Sequence, residues 1–334
     1  MRQRAEAIVV GAGVIGMTTA VCLAESGLSV RVRASEPPHH TTSAVAGAIA
    51  GGPAFSDPDE VDGMWEPYEV NVRRHQISLD EFTGLAAAEP DSGVRLRRGR
   101  MVCATGDEAP KWARRQPGFQ DCSPDERAGF PVAFWMSVPV IDMRSYFDYL
   151  IRRLRAADGI VEIRPLESFD QLASQVRLVV NCAGVGAGRL ANDPEVFPVR
   201  GQHVVVENPG LDDFLFEFFA GRIRGPQSVT VIPHSDRVIL GSTADRHNWS
   251  REPDPAATKE ILRRCGEVEP RLVGARVLGV EVGLRVARPG IRLETEQVGD
   301  LTVIHNYGHG PVGVGMSWGC AREVAELALA GSLI

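Results

Sequence analysis

The sequence predicts a mixed α/β protein in which a parallel-sheet unit and a mostly antiparallel unit share one chain of 334 residues. Three observations predict this class. An apolar strand, a glycine-rich turn and a helix follow one another near the N-terminus. Two runs typical of buried strands lie at 160–163 and 178–180, whereas short alternating strands dominate 200–245. The antiparallel stretches interrupt the α/β stretches, which favours an inserted second unit.

The N-terminal unit is a β-turn-α-β arrangement of about 30 residues, the size that such a unit requires. Residues 7–10 form the predicted first strand, and a helix is predicted over 17–26. Gly27 is placed to end that helix, because glycine readily takes the left-handed conformation after a last turn. A second strand is predicted over 30–32.

The remaining elements follow from periodicity and from capping residues. A helix is predicted around 69–85, and Asp142 is placed to cap another that ends near residue 155. Two more helices are predicted over 258–265 and 314–329. The remaining predicted strands cover 94–96, 160–163, 178–180, 203–207, 228–232, 238–241, 275–286 and 302–304.

Composition excludes several classes of protein. Apolar residues make up 44% and charged residues 24%, as in globular proteins and unlike disordered or fibrous ones. The net charge is −7, so neither nucleic acid nor an anionic membrane surface is an expected partner. No run approaches the ~20 apolar residues of a membrane span, and no secretory leader is evident. Six dispersed cysteines are typical of a reducing compartment, so we expect a cytoplasmic protein.

The turn after the first strand carries the pattern Gly-x-Gly-x-x-Gly. It consists of Gly11, Ala12, Gly13, Val14, Ile15 and Gly16. Gly11 permits a tight turn, Gly13 lets the backbone approach a pyrophosphate, and Gly16 lets helix and strand pack closely. Glu36 lies 20 residues after Gly16, where a carboxylate accepts ribose hydroxyls, and Ser35 is a neighbouring candidate. The pattern predicts a dinucleotide cofactor without separating FAD from NAD.

Two C-terminal segments carry longer motifs. Residues 283–294 read Gly-Leu-Arg-Val-Ala-Arg-Pro-Gly-Ile-Arg-Leu-Glu, and residues 305–310 read His-Asn-Tyr-Gly-His-Gly, followed by Gly313. Both resemble motifs of the D-amino-acid oxidase family. Shorter matches in the order of that family lie at 181–184, 200–202 and 248–250. The resemblance covers essentially the whole chain and implies an FAD-dependent flavoprotein.

The resemblance also implies a domain organisation. A discontinuous Rossmann-type FAD-binding domain would comprise residues 1–52, 135–195 and 287–334. An inserted, mostly antiparallel substrate-binding domain would comprise residues 53–134 and 196–286.

The resemblance implies roles for individual residues. Arg285 stands where the family's arginine pairs with the substrate α-carboxylate, although a structural salt bridge is the alternative. Pro311 stands where a glycine carbonyl holds the substrate amine. The implied FAD contacts are Thr42, Ser43, Ala48, Ile49, Leu166, Gly310, Gly313, Val314 and Gly315. The helix that begins there would aim the positive end of its dipole at the flavin. His309 is expected to be a hydrogen-bonded loop histidine.

The chain departs from the family in its pocket. Thr230 stands where a substrate-binding tyrosine is usual, and Ala50 replaces an aromatic residue. These changes widen the pocket, which favours a bulky or apolar substrate side chain, or an acidic one paired with Arg222 or Arg224. The phenylalanines of 214–224 form either a lid or the core of an edge strand.

The resulting hypothesis is the oxidative deamination of a D-amino acid by FAD. The Cα hydrogen leaves as hydride to flavin N5, the imino acid hydrolyses to the keto acid, and O2 is reduced to H2O2. That mechanism needs no general base, and none is assigned. No metal site is expected, and the sequence leaves the oligomeric state open, with a homodimer as one candidate. The alternatives are a specialised FAD amine or imino-acid oxidase of a biosynthetic pathway, an NAD(P)-linked dehydrogenase and a non-catalytic flavin-binding protein.

Overall fold

The computed structural model describes residues 6–51, 68–218 and 227–331. Its α-helices are α1 (Val14–Glu25), α2 (Tyr68–Ala88), α3 (Met143–Ala156), α4 (Ala187–Leu190), α5 (Pro255–Val268) and α6 (Gly313–Gly331). Its strands are β1 (Ala7–Val10), β2 (Val30–Ala34), β3 (Val94–Cys103), β4 (Gln120–Asp121), β5 (Val132–Ile141), β6 (Ile160–Ile163), β7 (Leu178–Asn181), β8 (Phe197–Glu207), β9 (Phe214–Glu217), β10 (Gln227–Pro233), β11 (Arg237–Thr243), β12 (Asp245–Arg246), β13 (Val277–Val298) and β14 (Leu301–His309).

The mixed α/β class predicted from the sequence is confirmed. Five strands form a parallel part in the order β14-β7-β1-β2-β6. The β1-α1-β2 unit lies in this part, as expected. Antiparallel pairing then continues the same sheet through β13, β8, β11, β10 and β9. Beyond β9 the neighbouring strand β3 is parallel, so the second part is antiparallel only in the main.

One strand, β13, joins the two parts. Over Val277–Ala287 it pairs with β8, and over Arg292–Val298 with β14, with a shift of register between. The predicted boundary after residue 286 therefore lies inside a continuous strand. The predicted boundary after residue 134 likewise lies inside β5. Strands carry the chain from one part to the other, and the division into two domains stays a prediction.

Local chemistry explains where several helices begin and end. Helix α1 ends with Gly27 at φ +97°, where Gly27 N–H donates to the Ala24 carbonyl and Leu28 N–H to that of Leu23. This is the pair of bonds that a left-handed glycine allows. The Asp142 carboxylate caps α3 by accepting from Arg144 N–H at 3.1 Å. Helix α5 begins earlier than predicted because Asp254 caps it and a proline occupies its first position.

The phenylalanine-rich segment is not a lid where the structure describes it. Residues 214–217 form β9, which is hydrogen-bonded to β3 on one side and β10 on the other. Phe214 and Phe218 are 1% and 3% exposed. The segment is thus an internal strand rather than an edge strand, and its phenylalanines belong to the core. Arg222 and Arg224 lie outside the described residues.

The parallel part is covered by packed helices. Helix α1 packs on α6 and α3, and their apolar side chains form one core with those of β1 and β2. At its centre the Trp318 indole N–H donates to the Tyr146 hydroxyl at 2.8 Å, with both side chains at most 1% exposed. None of the helices within the described ranges is long and apolar enough to cross a membrane. The homodimer and the cytoplasmic location stay predictions.

The substitution Tyr146→Phe should destabilise the fold by about 1–3 kcal/mol, because it leaves the buried Trp318 N–H without an acceptor. The measurement is the free energy of unfolding in urea. Tyr149→Phe is the matched control on the same helix, since Tyr149 is only half-buried and its hydroxyl accepts from Arg153. Equal losses of unfolding free energy in the two variants would show that the buried Trp318–Tyr146 hydrogen bond does not stabilise the fold more than the half-buried one.

Candidate active site

A cavity of about 330 Å³ lies where the carboxyl ends of the parallel strands face β8 and β13. Most of the site residues predicted from the sequence line it. They are Gly11, Ala12, Gly13, Val14, Ile15, Ser35, Glu36, Thr42, Ser43, Leu166, Arg285, Gly310, Pro311, Gly313 and Val314. Ligands of open α/β sheets bind at this edge, so the fold places the predicted residues where a cofactor would be held.

Other predicted residues are not among those that line this cavity: Gly16, Ala48, Ile49, Thr230 and Gly315. Ala48 and Ile49 pair with the backbone of β5: the Ala48 carbonyl accepts from Ile141 N–H, and Ile49 forms an isolated β-bridge with Val140. Thr230 is 4% exposed within β10, paired with Phe216 and Gly241. Their ligand roles stay predictions without support from cavity geometry.

The glycine turn is set by backbone contacts. Gly11 has φ +111°, and a Cβ there would lie 2.2 Å from the Cys182 carbonyl oxygen. A Cβ on Gly16 would lie 2.0 Å from the Gly11 carbonyl oxygen. Only glycine fits either position, so strand, turn and helix are in direct backbone contact. The first turn of α1 thereby faces the cavity.

That first turn offers donors for an anion. No acidic residue lies in the first turn of α1, and Val14 N–H donates to Ser43 Oγ at 3.1 Å. A helix N-terminus with free N–H groups favours negative charge. The glycine turn, Thr42 and Ser43 therefore fit the phosphates of a dinucleotide, on geometry as well as motif.

Charged residues surround the end of β2. The carboxylate of Glu36 forms an ion pair with Arg251 at 3.1 Å, and both residues line the cavity. Arg33, also in the lining, is 5% exposed and donates to the carbonyls of Arg164 and Pro165. Burial, with Arg164 nearby, lowers the pKa of Arg33. Glu36, the predicted ribose ligand, is therefore also the ion-pair partner of Arg251, which sequence reasoning did not assign to the site.

Arg285 lies on β13 and also lines the cavity. Its guanidinium covers Gly201, where a Cβ would lie 2.2 Å from Nη1. Nη1 donates to the Thr243 carbonyl at 2.9 Å, and Nη2 lies 3.4 Å from Ser242 Oγ. Among the described residues no carboxylate lies within 4.0 Å of this group, and burial lowers its pKa. The structural salt bridge considered as an alternative is therefore absent from this part of the chain.

His309 differs from its expectation. It is 2% exposed and lines the cavity, and its Nε2 has no hydrogen-bond partner within the described ranges. Burial, with Arg74 nearby, lowers its pKa to about 3, so the ring is neutral. An orphaned ring nitrogen beside the glycine-rich start of α6 indicates room for a polar ligand there. This observation supports a bound cofactor at that wall.

Sequence reasoning missed three cavity residues. His203 directly follows the 200–202 motif and lines the cavity beside Arg285, Arg33 is the penultimate residue of β2, and Arg251 follows the 248–250 motif. Each lies within two residues of a motif or of a predicted site residue, and that closeness is the signal in the sequence that could have found them. No cluster of three or more potential metal ligands occurs within the described residues.

Comparisons with known proteins agree with this geometry. A family model described as FAD dependent oxidoreductase (DAO) matches residues 6–327. The chain is 42% identical to a D-amino-acid oxidase of Rubrobacter xylanophilus and 43% identical to one of Streptomyces coelicolor, each alignment covering 97% of this chain and 96% of the relative. The crystal structure of glycine oxidase from Geobacillus kaustophilus superposes with a TM-score of 0.79 at 18% identity, covering 98% of this chain and 95% of that one.

The substitution Gly16→Ala should destabilise the protein by about 1–3 kcal/mol and weaken cofactor retention, because the new methyl group collides with backbone. The measurements are thermal unfolding and flavin absorbance after gel filtration. Gly84→Ala in α2 is the matched control, since a Cβ there meets nothing within 4 Å. It should stabilise the helix by about 0.5–1 kcal/mol. Stabilisation by both substitutions would contradict the close contact.

Stability should fall as the pH drops from about 7 to 5. Burial lowers the pKa of His203 and His234 to about 4 and that of His309 to about 3, from an ordinary 6.5. Between those values the unfolded chain binds protons that the folded chain excludes, so the stability present at pH 7 is lost on acidification. We expect a loss of about 1 kcal/mol or more per histidine, measured as urea unfolding at both pH values. An unfolding free energy that does not change between the two pH values would contradict the conclusion that these three histidines are buried and neutral.

Proposed function

The chain belongs to the FAD dependent oxidoreductase family (DAO), and on that premise we propose that it is an oxidase of D-amino acids. The observation that carries the proposal is Arg285, a cavity-lining guanidinium without a carboxylate partner in the described ranges. The relatives named D-amino-acid oxidase, at 42% and 43% identity, support the same substrate class. When bound, FAD would supply the acceptor for the substrate's Cα hydride, with O2 as the final oxidant and H2O2 as its product.

Arg285 is prepared to bind the α-carboxylate. The contacts with Thr243 and Ser242 fix the planar group, and the bare backbone of Gly201 lets it lie flat on β8. A substrate carboxylate would supply the negatively charged partner that this partly desolvated guanidinium lacks among the described residues. Arginine binds a carboxylate through two parallel hydrogen bonds, which fixes the position of Cα as well as the anion. Orientation of Cα is what a hydride transfer requires.

Pro311 is the proposed partner of the substrate amine. It lies in a short 3-10 turn, Gly310–Val312, at the start of α6, and its ring removes the backbone N–H while leaving the carbonyl as acceptor. Gly310 takes φ +53°, which shapes the turn. A carbonyl can accept from the amine without removing a proton from Cα. No side chain is therefore assigned as general base.

The cofactor would be held by both glycine-rich helix starts. The first turn of α1, with Thr42 and Ser43, would bind the phosphates, and Glu36 or Ser35 the ribose. Gly313 and Val314 would place the start of α6 against the ring, where a helix N-terminus stabilises negative charge. His309 Nε2 is a further polar contact available to the ring.

Arg285→Ala should lower kcat/KM for D-amino acids by about 100-fold or more, since a charge-assisted pair is lost. Flavin absorbance should stay, because the Arg285 side chain contacts Thr243 and Ser242 and is not among the residues assigned to the cofactor. The assay is anaerobic flavin bleaching by D- and L-isomers, followed by peroxide release in air. Arg276→Ala, at an exposed ion pair with Glu207, is the control. Near-normal turnover without Arg285 would overturn the assignment, and a flavin that no D-isomer bleaches would favour an amine oxidase.

A further inference from the structure

His203 is a cavity residue that neither cofactor binding nor carboxylate recognition uses. It lies on β8, directly opposite Glu281 of β13, and both residues line the cavity. The two side chains share one face of the sheet with Gly201 and Gly283, because residues two apart along a strand point the same way. Glycine at those two positions leaves His203 and Glu281, beside Arg285, as the functional groups of this wall.

The hydrogen bonding of His203 fixes which ring nitrogen is free. Its Nδ1 lies 3.0 Å from the Val45 carbonyl oxygen, and a carbonyl only accepts, so Nδ1 carries the hydrogen. Nε2 is then a lone-pair acceptor, and it has no partner among the residues that the structure describes. Burial and the charge of Arg285 lower the pKa of the ring to about 4, which keeps it neutral. The ring can therefore only accept from a ligand in the cavity.

The spacing between His203 and Arg285 favours the substrate side chain over the amine as the donor. The guanidinium of Arg285 lies over Gly201, and the Cα of His203 is two residues, about 6.5–7 Å, further along the strand, with its ring over Gly241 of β11. The amine is attached to the carbon that bears the carboxylate, so it stays close to the guanidinium. Atoms further out on the side chain reach the distance of the imidazole.

Glu281 adds charge to the same wall. Its Oε1 lies 3.1 Å from Arg144 Nη2, and the Arg144 side chain is 58% exposed, so water screens that pair. The carboxylate therefore disfavours a second anion beside it. A donor bound at this wall meets two acceptors, and an acidic side chain meets a negative charge and a lone pair.

We propose that His203 and Glu281 form a subsite that selects D-amino acids whose side chains carry a hydrogen-bond donor, such as an amide, hydroxyl or ammonium group. The inference rests on the proposed oxidase activity and narrows its substrate class. It also revises the expectation of an apolar or acidic side chain, because that expectation rested on Thr230 and on arginines outside the described residues.

The experiment compares substrates of equal shape. D-Asparagine and D-leucine differ in the donor at nearly constant volume, and D-aspartate replaces the amide with a carboxylate. The wild-type holoenzyme should have a higher kcat/KM for D-asparagine than for D-aspartate. Preference for D-aspartate would overturn the subsite. If none of the three substrates bleaches the flavin while other D-amino acids do, the oxidase assignment holds and the subsite is wrong.

Variants separate recognition from folding. His203→Leu should lower the ratio of kcat/KM for D-asparagine over D-leucine about 3- to 10-fold, as for a lost hydrogen bond. His203→Gln, which keeps an acceptor near the Nε2 position, should restore part of the ratio. Glu281→Gln should raise the activity with D-aspartate relative to D-asparagine. His234→Leu is the matched control, because His234 is also a buried neutral histidine but is not among the cavity-lining residues.

The ratio is the readout that a purely structural role would not move. A uniform loss over all three substrates in His203→Leu would show that the ring acts on the common amine or on the fold, and would overturn the proposal. An unchanged ratio would overturn it as well. If no D-amino acid bleached the flavin of the wild type, the oxidase assignment itself would be contradicted instead.

Discussion

The hydrogen-bonded ladder from β8 through β13 to β14 is the constraint on which the site depends. β13 carries Arg285 while it pairs with β8, and then pairs with β14, which leads directly into the turn before α6. Arg285 and the start of α6 are thus connected through one strand, which pairs with β8 and then with β14, with a register shift between Ala287 and Arg292. A flexible linker between two domains would leave the separation of Arg285 and Pro311 variable. A shared strand holds the orientation that hydride transfer requires.

The charges of the cavity follow from that frame. Arg285 and Arg33 are held by carbonyl groups in place of carboxylates, so each keeps its positive charge available to an anion. His203 and His309 are neutral because burial and neighbouring arginines oppose a second positive charge. The cavity therefore presents both cations and neutral acceptors, and Arg285 and His203 share one face of the sheet. A zwitterionic substrate and an anionic cofactor both find complementary groups there.

Much of the fold was accessible from the sequence, and the reasons are local. The β1-α1-β2 unit, Gly27 and Asp142 could be predicted because turn and cap geometry depends on a few adjacent residues. The length of β13, the internal position of β9 and the parallel β3–β9 pair could not, since they depend on partners far away in the chain. The same distinction applies to the site: motif residues fell on the cavity, whereas the placement of His203 depends on strand pairing and the Glu36–Arg251 ion pair joins residues far apart in the chain.

Thr230 and His203 show why a role cannot always be carried over by position alone. A substrate-binding tyrosine is usual at the first of these positions in the family. Here Thr230 takes its place, is buried in β10 and is not among the residues that line the cavity. A polar acceptor is supplied instead from β8, on the wall that also carries the guanidinium. In the proposed subsite, polar recognition moves from one strand to another while Arg285 stays in place. Carboxylate binding and the helix start at the flavin can therefore be retained while the choice of side chain is altered, because the two tasks depend on different residues of one sheet.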